Sequence, residues 1–431
     1  LSLPDGVSPA RPGSLRKALL ASGVGTTIEW YDFYLYSTAA ALVLGPLFFP
    51  HSSPAAATLA AFATYAAGFV ARPLGGLIFG HFGDRLGRKS MLVLSLLVMG
   101  TATFLVGVLP TYAQAGVWAP ILLVTLRITQ GIGIGGEWGG GVLMSTEQAG
   151  GRRRGLLSSV PGMGFPLGLA GSTAMFSLVT MLPKDDFLSW GWRLPFLASI
   201  VLVAVGVAVR LGVEETPEFR RERDNDRLAS LPVREAVRQR PVSVVRGALA
   251  SLGLAMVVST FSVYFVSYAA ASGPEHRSQV LDAVVAGALV EAAMLPVFGF
   301  LSDRFGRKPV LIFGYAVCAA VVLPGVHWIT SGDKSLVVLT YVLAMGVGHA
   351  AIYGSIAAFL VDLFPTAHRY SAFAVTYQLG ATIASFGPLV AGSLAGGRHT
   401  AAPGVAILLG TLLVASIAAL SGPAKDRSPG G

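Results

Sequence analysis

Charge is scarce in this chain. Asp, Glu, Lys and Arg make up 12% of 431 residues, about half the share found in an ordinary soluble protein. Cysteine is scarcer still: Cys318 stands alone inside an apolar run, which excludes a disulfide framework and a cysteine-based metal centre. No phosphate-binding loop, metal-ligand cluster or catalytic triad is visible, so neither an ATP-driven pump nor an enzyme is expected, and no cofactor or metal. Gly131-Ile132-Gly133-Ile134-Gly135-Gly136 matches a dinucleotide-binding string. It lies within an apolar run instead of between a strand and a helix, and its glycines suit close helix contact instead, as do Gly76 and Gly80.

What is abundant is apolar residue, 53% of the chain, gathered in runs of about twenty that match a ~30 Å hydrocarbon core. Twelve candidate helices follow, at 18–45, 55–82, 89–109, 118–147, 155–182, 191–211, 246–271, 279–301, 309–329, 335–363, 370–394 and 402–421. The first is too long and too acidic for a cleavable leader and is expected to stay as a span. Of the 31 basic residues, 24 fall in the tails and loops of one side, five on the other (Lys184, Arg193, Arg277, Lys334, Arg398), and two, Arg72 and Arg127, inside helices. That bias places both termini and the loop 213–245 in the cytoplasm. The net charge of +9 then reports topology, and no nucleic-acid partner is expected.

The polar segment 213–245 divides the chain into six-helix sets at 18–212 and 246–421, with tails at 1–17 and 422–431. Gly80-His81-Phe82-Gly83-Asp84-Arg85-Leu86-Gly87-Arg88-Lys89 follows the second helix, and Gly299-Phe300-Leu301-Ser302-Asp303-Arg304-Phe305-Gly306-Arg307-Lys308 follows the eighth, 219 positions later. Glu147 and Arg154 after the fourth helix match Asp362 and Arg369 after the tenth, 215 positions later. Two landmarks in one register mark a parallel duplication, whose halves meet around the membrane midplane.

The repeated G-x-x-x-D-R-x-G-R-K loop resembles the signature of the major facilitator superfamily. Arg127-Ile128-Thr129-Gln130-Gly131 resembles that superfamily's second motif, in which a membrane arginine is associated with proton coupling. Finer likeness lies in Ile28-Glu29-Trp30-Tyr31-Asp32-Phe33-Tyr34, Ala71-Arg72-Pro73-Leu74-Gly75-Gly76, Gly135-Gly136-Glu137-Trp138-Gly139-Gly140 and Trp190-Gly191-Trp192-Arg193-Leu194-Pro195-Phe196. Together these are similar to the metabolite:H⁺ symporters, which include shikimate, α-ketoglutarate, citrate and proline or betaine carriers. The resemblance implies an all-α fold of two pseudo-symmetric six-helix halves, alternating access, proton symport in the cell membrane, and gating roles for Gly80, Asp84, Arg85, Gly87, Arg88, Glu147, Arg154, Asp303, Arg304, Gly306, Arg307, Asp362 and Arg369. After the sixth helix, Glu215-Thr216-Pro217-Glu218-Phe219 departs from the sugar porters' pattern, which speaks against a sugar.

Ionisable groups within the spans are functional candidates because the bilayer penalises them. Glu29 and Asp32 share one face of the first helix. Two acids so placed cannot both ionise cheaply, which suits one to carrying a proton. Depth matches Arg72 with Glu137 as an inter-helix ion pair, and Arg127 with Glu29 or Asp32. A guanidinium near the midplane can also bind a substrate carboxylate through two parallel bonds. Glu291, His349 and Tyr31 complete the expected substrate site, and the aromatics of the first and seventh helices (Phe261, Tyr264, Phe265, Tyr268) are candidate cavity walls. The reading is proton-coupled uptake of a small organic acid, shikimate-like or dicarboxylate, by a monomer whose partners are substrate, protons and lipid. A zwitterionic osmolyte is the alternative, ahead of proton-driven efflux of an apolar drug and of a membrane sensor.

Overall fold

The computed structural model describes residues 12–86, 88–135, 156, 159, 162–211, 240–364 and 369–421; for 12–22, 77, 80–86, 88–90, 92, 210, 211 and 369–374 it describes the backbone alone. Among the described residues there are helices and turns and no strands. The principal helices are α1 (Pro12–Leu42), α2 (Pro54–Leu86), α3 (Arg88–Val108), α4 (Trp118–Gly135), α5 (Gly164–Val179) and α6 (Leu194–Leu211) in one half. The other half holds α7 (Pro241–Ser272), α8 (Pro274–Phe305), α9 (Arg307–Ile329), α10 (Lys334–Asp362), α11 (Arg369–Ser385 continuing as Gly387–Ala395) and α12 (Ala402–Leu420).

Local chemistry sets the ends. Pro241 and Pro274 open α7 and α8, where a missing N–H costs nothing. Asp333 caps α10, its carboxylate accepting from the Ser335 and Leu336 amides at 2.8 and 3.3 Å. Gly306 turns α8 into α9 at φ +97°, a conformation few side chains tolerate. Because proline pre-sets the first turn, α7 starts at Pro241, five residues inside the segment expected as loop.

Eight of the described helices are long and apolar enough to cross a membrane. The hydrophobic window of α7 is 89% buried within the protein, whereas those of α6 and α12 are 33% and 39% buried. Val201, Leu413 and Ile417 point outward from the peripheral helices, where lipid tails supply the apolar surroundings that water would deny them.

The halves meet through α1 with α7, α2 with α11, and α5 with α8. A two-fold relation between the halves requires this pairing, since it maps α1 onto α7 and the α2–α11 contact onto α8–α5. The duplication reaches the packing inside each half. A Cβ on Gly131 of α4 would collide with the Gly68 carbonyl of α2, and one on Gly346 of α10 would lie 2.7 Å from Val290 of α8, near the Gly287 carbonyl. Gly68 and Gly287 are 219 positions apart and Gly131 and Gly346 are 215 apart, the two offsets of the loop motifs. Small residues therefore allow the same close helix crossing twice.

Two helices contain wide turns with i→i+5 bonding, Thr260–Tyr264 in α7 and Val342–His349 in α10. The second ends on His349. Such bulges rotate the side chains that follow and recur at functional sites.

Candidate functional site

Inside the first half, a chain of polar groups links Arg127 to the neighbourhood of Asp32. The Arg127 Nη1 donates to Gln130 Oε1 at 3.3 Å, and Gln130 Nε2 donates to the Thr103 hydroxyl at 2.7 Å. Thr103 itself bonds back to the Met99 carbonyl at 3.0 Å and lies beside the Asp32 carboxyl. Asp32, Thr103 and Arg127 are fully buried and Gln130 nearly so. Neither Asp32 oxygen has a well-formed hydrogen bond, and Arg127 leaves Nε and Nη2 without an acceptor. Glu29 is buried one turn earlier on α1.

The direct ion pair expected between Arg127 and Asp32 or Glu29 is not among those the described residues form. Arg127 instead lies over aromatic faces, 4.4 Å from the Phe33 centroid and 4.2 Å from Tyr36, and reaches towards Asp32 through two intermediaries. Arg72 on α2 uses the same phenyl ring. Its guanidinium carbon is 4.2 Å from Phe33, 4.1 Å from Phe69 and 5.6 Å from Trp30. Cation–π attraction helps hold each guanidinium against these rings. Glu137, the partner expected for Arg72, lies outside the described residues.

Between the halves, a small cavity of about 20 Å³ is walled by Trp30, Tyr34, Tyr65, Phe69 and Phe165 from the first half, and by Leu254, Ala255, Val258, Ser259, His349, Tyr353, Tyr377 and Ala381 from the second. That volume accommodates about one water molecule. His349 Nδ1 is 2.6 Å from Glu291 Oε1, and both side chains are buried. Glu291 Oε2 and His349 Nε2 have no partner, so each retains hydrogen-bonding capacity. Phe165 bridges the halves by packing on His349 at 5.4 Å and Tyr353 at 5.1 Å.

Two expected wall elements lie elsewhere. The Tyr31 hydroxyl points to the Pro195 carbonyl at 3.3 Å, turning the ring towards α6. On α7, Tyr264 bonds the Thr400 carbonyl, Tyr268 stacks on His399, and Phe261 packs on Phe265 and Tyr341. It is the smaller side chains one to two turns earlier on α7 that face the cavity. Tyr65, Phe165, Tyr353 and Tyr377 were not singled out as wall residues by sequence. The spacing of Tyr353, four residues after His349 and so on the same helix face, was the available signal.

Contacts bridge the halves above and below the cavity. At the end where α1 begins and α12 finishes, Asp303 Oδ2 accepts from the Leu156 amide of the first half at 3.1 Å, while Oδ1 pairs with Arg307 at 3.0 Å. Arg307 also lies 3.8 Å from Asp362 and donates to the Ser302 carbonyl. Arg304 is exposed and outside this cluster. At the opposite end, Asp282 of α8 accepts from Ser177 of α5 at 3.2 Å and pairs with Lys334 at 2.7 Å. Gly80, Asp84, Arg85, Arg88 and Arg369 are described by backbone alone, and Gly87, Glu147 and Arg154 lie outside the described residues.

A twelve-helix duplicated bundle closing on a cavity between its halves is the architecture of a membrane carrier, and the comparisons with known proteins agree. The family model "Sugar (and other) transporter" matches residues 17–243, and "Major Facilitator Superfamily" matches 276–430. The shikimate transporter of Escherichia coli is 38% identical over 413 residues, covering 94% of each chain. The proline/betaine transporter of Salmonella typhimurium is 33% identical, covering 88% of this chain and 77% of that one. Among solved structures, the xylose transporter XylE of E. coli in a partially occluded inward open conformation superposes with a TM-score of 0.74 at 17% identity, covering 95% of this chain and 97% of that one. The chain belongs to the major facilitator superfamily. It is a multi-pass membrane transporter and not an enzyme.

Proposed function

We propose that this chain is a proton-coupled symporter of a small carboxylic acid, shikimate-like or dicarboxylate, working as a monomer with both chain ends in the cytoplasm. The observation that carries the reading is the buried Asp32 carboxyl at the end of the Thr103–Gln130–Arg127 chain. A carboxyl sealed from water and facing a hydroxyl can be stable with its proton on. Once charged, it can draw the Thr103 proton away from the Met99 carbonyl, and Gln130 then links that hydroxyl to the positive charge of Arg127. In this scheme Asp32 carries the proton, with Glu29 beside it on α1. His349 and Glu291 face the substrate, since His349 lines the cavity and the pair keeps an unused donor or acceptor at each end.

The cavity is too small for such an acid while the halves touch at both ends. Substrate enters when one of the contacts between the halves opens: Asp303 with Leu156 on one side, Asp282 with Ser177 on the other. Gly80, Asp84, Arg85, Gly87, Arg88, Glu147, Arg154, Arg304, Gly306, Asp362 and Arg369 are assigned to the cytoplasmic gate on the duplicated motif.

One proton carried with a monoanion is electroneutral, so a pH difference of one unit supports about tenfold accumulation, ~1.4 kcal/mol. Proteoliposomes with an alkaline interior should accumulate shikimate or a dicarboxylate to that extent. Asp32→Asn should retain exchange of labelled for unlabelled substrate and lose accumulation. Normal accumulation by Asp32→Asn refutes the coupling role. The aromatic walls and the 33% identity to a proline/betaine transporter support a second reading, an osmolyte symporter. Preference for glycine betaine over every acid would establish it in place of the first.

A further inference from the structure

Arg72 and Glu291 occupy equivalent places in the duplicated fold. They are 219 positions apart, the offset that relates α2 to α8, and each follows by four residues the glycine at its tight crossing, Gly68 or Gly287. One half thus presents a cation and the other an anion at the same structural position. Both side chains are buried to within 1%, and they stand directly behind the cavity walls in opposite halves, Arg72 against Trp30 and Phe69 and Glu291 against His349. Arg72 lies over Phe69 and Trp30, two wall residues, and its charge is felt by Tyr34, Tyr65 and Tyr377, three more. Tyr34 lies within electrostatic reach of both Arg72 and Glu291. Arg72 Nε and Nη2, Glu291 Oε2 and His349 Nε2 have no hydrogen-bond partner. Buried polar groups are ordinarily paired, so unused capacity at both ends of one cavity points to a ligand that supplies both partners.

We propose that the substrate site is polar end to end: Arg72 receives the carboxylate, and the Glu291–His349 pair receives a hydrogen-bonding group, such as a hydroxyl, at the far end of the same molecule. This rests on the organic-acid reading above and replaces Arg127 with Arg72 as the carboxylate anchor. Arg127 meets one wall ring, Tyr65, at 5.6 Å, where Arg72 meets two, and it donates to Gln130, which leaves it to the proton chain. The aromatic walls fit the apolar faces of a compact ring, and the two poles fix its orientation. Rocking of the halves would separate Tyr377 of α11 from Arg72 of α2 and so admit the carboxylate.

The test is ligand affinity in proteoliposomes, measured by protection or by quenching of Trp30 in the wall. The probes are shikimate, its carboxamide, and cyclohexene carboxylate, which keeps the acid and lacks the hydroxyls. The wild type should bind shikimate about 10- to 100-fold more tightly than the carboxamide, the range for a hydrogen bond to a charged group. Arg72→Gln should abolish that preference and Arg72→Lys should keep part of it. Arg127→Gln should keep it while losing pH-driven accumulation. Glu291→Gln and His349→Gln should instead shrink the difference between shikimate and the deoxy acid, leaving acid over amide intact. If Arg72→Gln does not assemble, Arg72→Lys and the two far-end variants carry the test through the same two ratios. Retention of the full acid-over-amide ratio in either Arg72 variant overturns the proposal and leaves the symport reading standing. A wild type that binds no acid overturns both.

Discussion

Replacing Gln130 by leucine keeps most of the side-chain volume and removes the group that joins Arg127 to Thr103. Two bonds disappear, at 3.3 and 2.7 Å. The Arg127 guanidinium, with Nε and Nη2 already lacking acceptors, loses its hydrogen bond to Gln130. A hydrogen bond to a charged group contributes about 1.5–3 kcal/mol, and a neutral one about 1, so Gln130→Leu should cost roughly 2–4 kcal/mol of stability. The effect on transport should be more selective. Exchange of labelled substrate, which needs no net proton movement, should continue, whereas the roughly tenfold accumulation under one unit of pH difference should fall towards equality. Thr103→Val breaks the same chain one link nearer Asp32. Residues in one network do not add, so the double variant should be no less coupled than the worse single one. Purified protein in liposomes gives accumulation and exchange together, and thermal unfolding in detergent gives the stability term. Undiminished accumulation in both single variants would show that Asp32 and Arg127 do not communicate through these side chains.

Four further outcomes follow from named contacts. Gly131→Ala places a methyl against the Gly68 carbonyl and should lower stability by about 1–3 kcal/mol, the usual cost of overpacking; Gly410→Ala, whose Cβ meets nothing within 4 Å, should be silent in the same thermal assay. Asp303→Asn weakens the Arg307 pair and the Leu156 contact, so a cysteine placed at Leu156 should react faster with a maleimide than in the parent protein, a readout made clean by the burial of Cys318. Asp282→Asn should change stability by less than about 1 kcal/mol, because its Lys334 pair is solvent-exposed and screened. Tyr31→Phe should leave substrate affinity unchanged, since its hydroxyl serves Pro195; a tenfold loss would put Tyr31 back in the site.

Much of the architecture was readable because lipid imposes simple rules. Runs of about twenty apolar residues, the side bias of lysine and arginine, and two motifs repeated at offsets of 219 and 215 led to a duplicated helical bundle. Of the glycines flagged as close-packing residues, Gly131 and Gly135 sit at tight crossings with α2. The site was harder. Sequence identified which charges were buried, but it paired them by depth alone, and depth does not reveal which way a side chain leaves its helix. Arg127 settled on rings where an acid of α1 was expected, a choice invisible until α1, α2 and α4 are brought together. Tyr31 and Tyr34 differ by less than one turn and face different neighbours. The start of α7 was misjudged because Arg240, Pro241 and Arg246 read as polar loop, while a proline at the first turn extends the helix into it.

Phe33 stands next to Asp32 in sequence and lies against both buried arginines. A phenyl ring attracts each cation yet supplies no exchangeable proton, so it holds Arg72 and Arg127 close without opening a route for protons between them. On the roles proposed above, the bundle keeps two positive charges within a few ångströms of one residue and gives each its own circuit, Arg72 for the substrate and Arg127 for the Asp32 carboxyl.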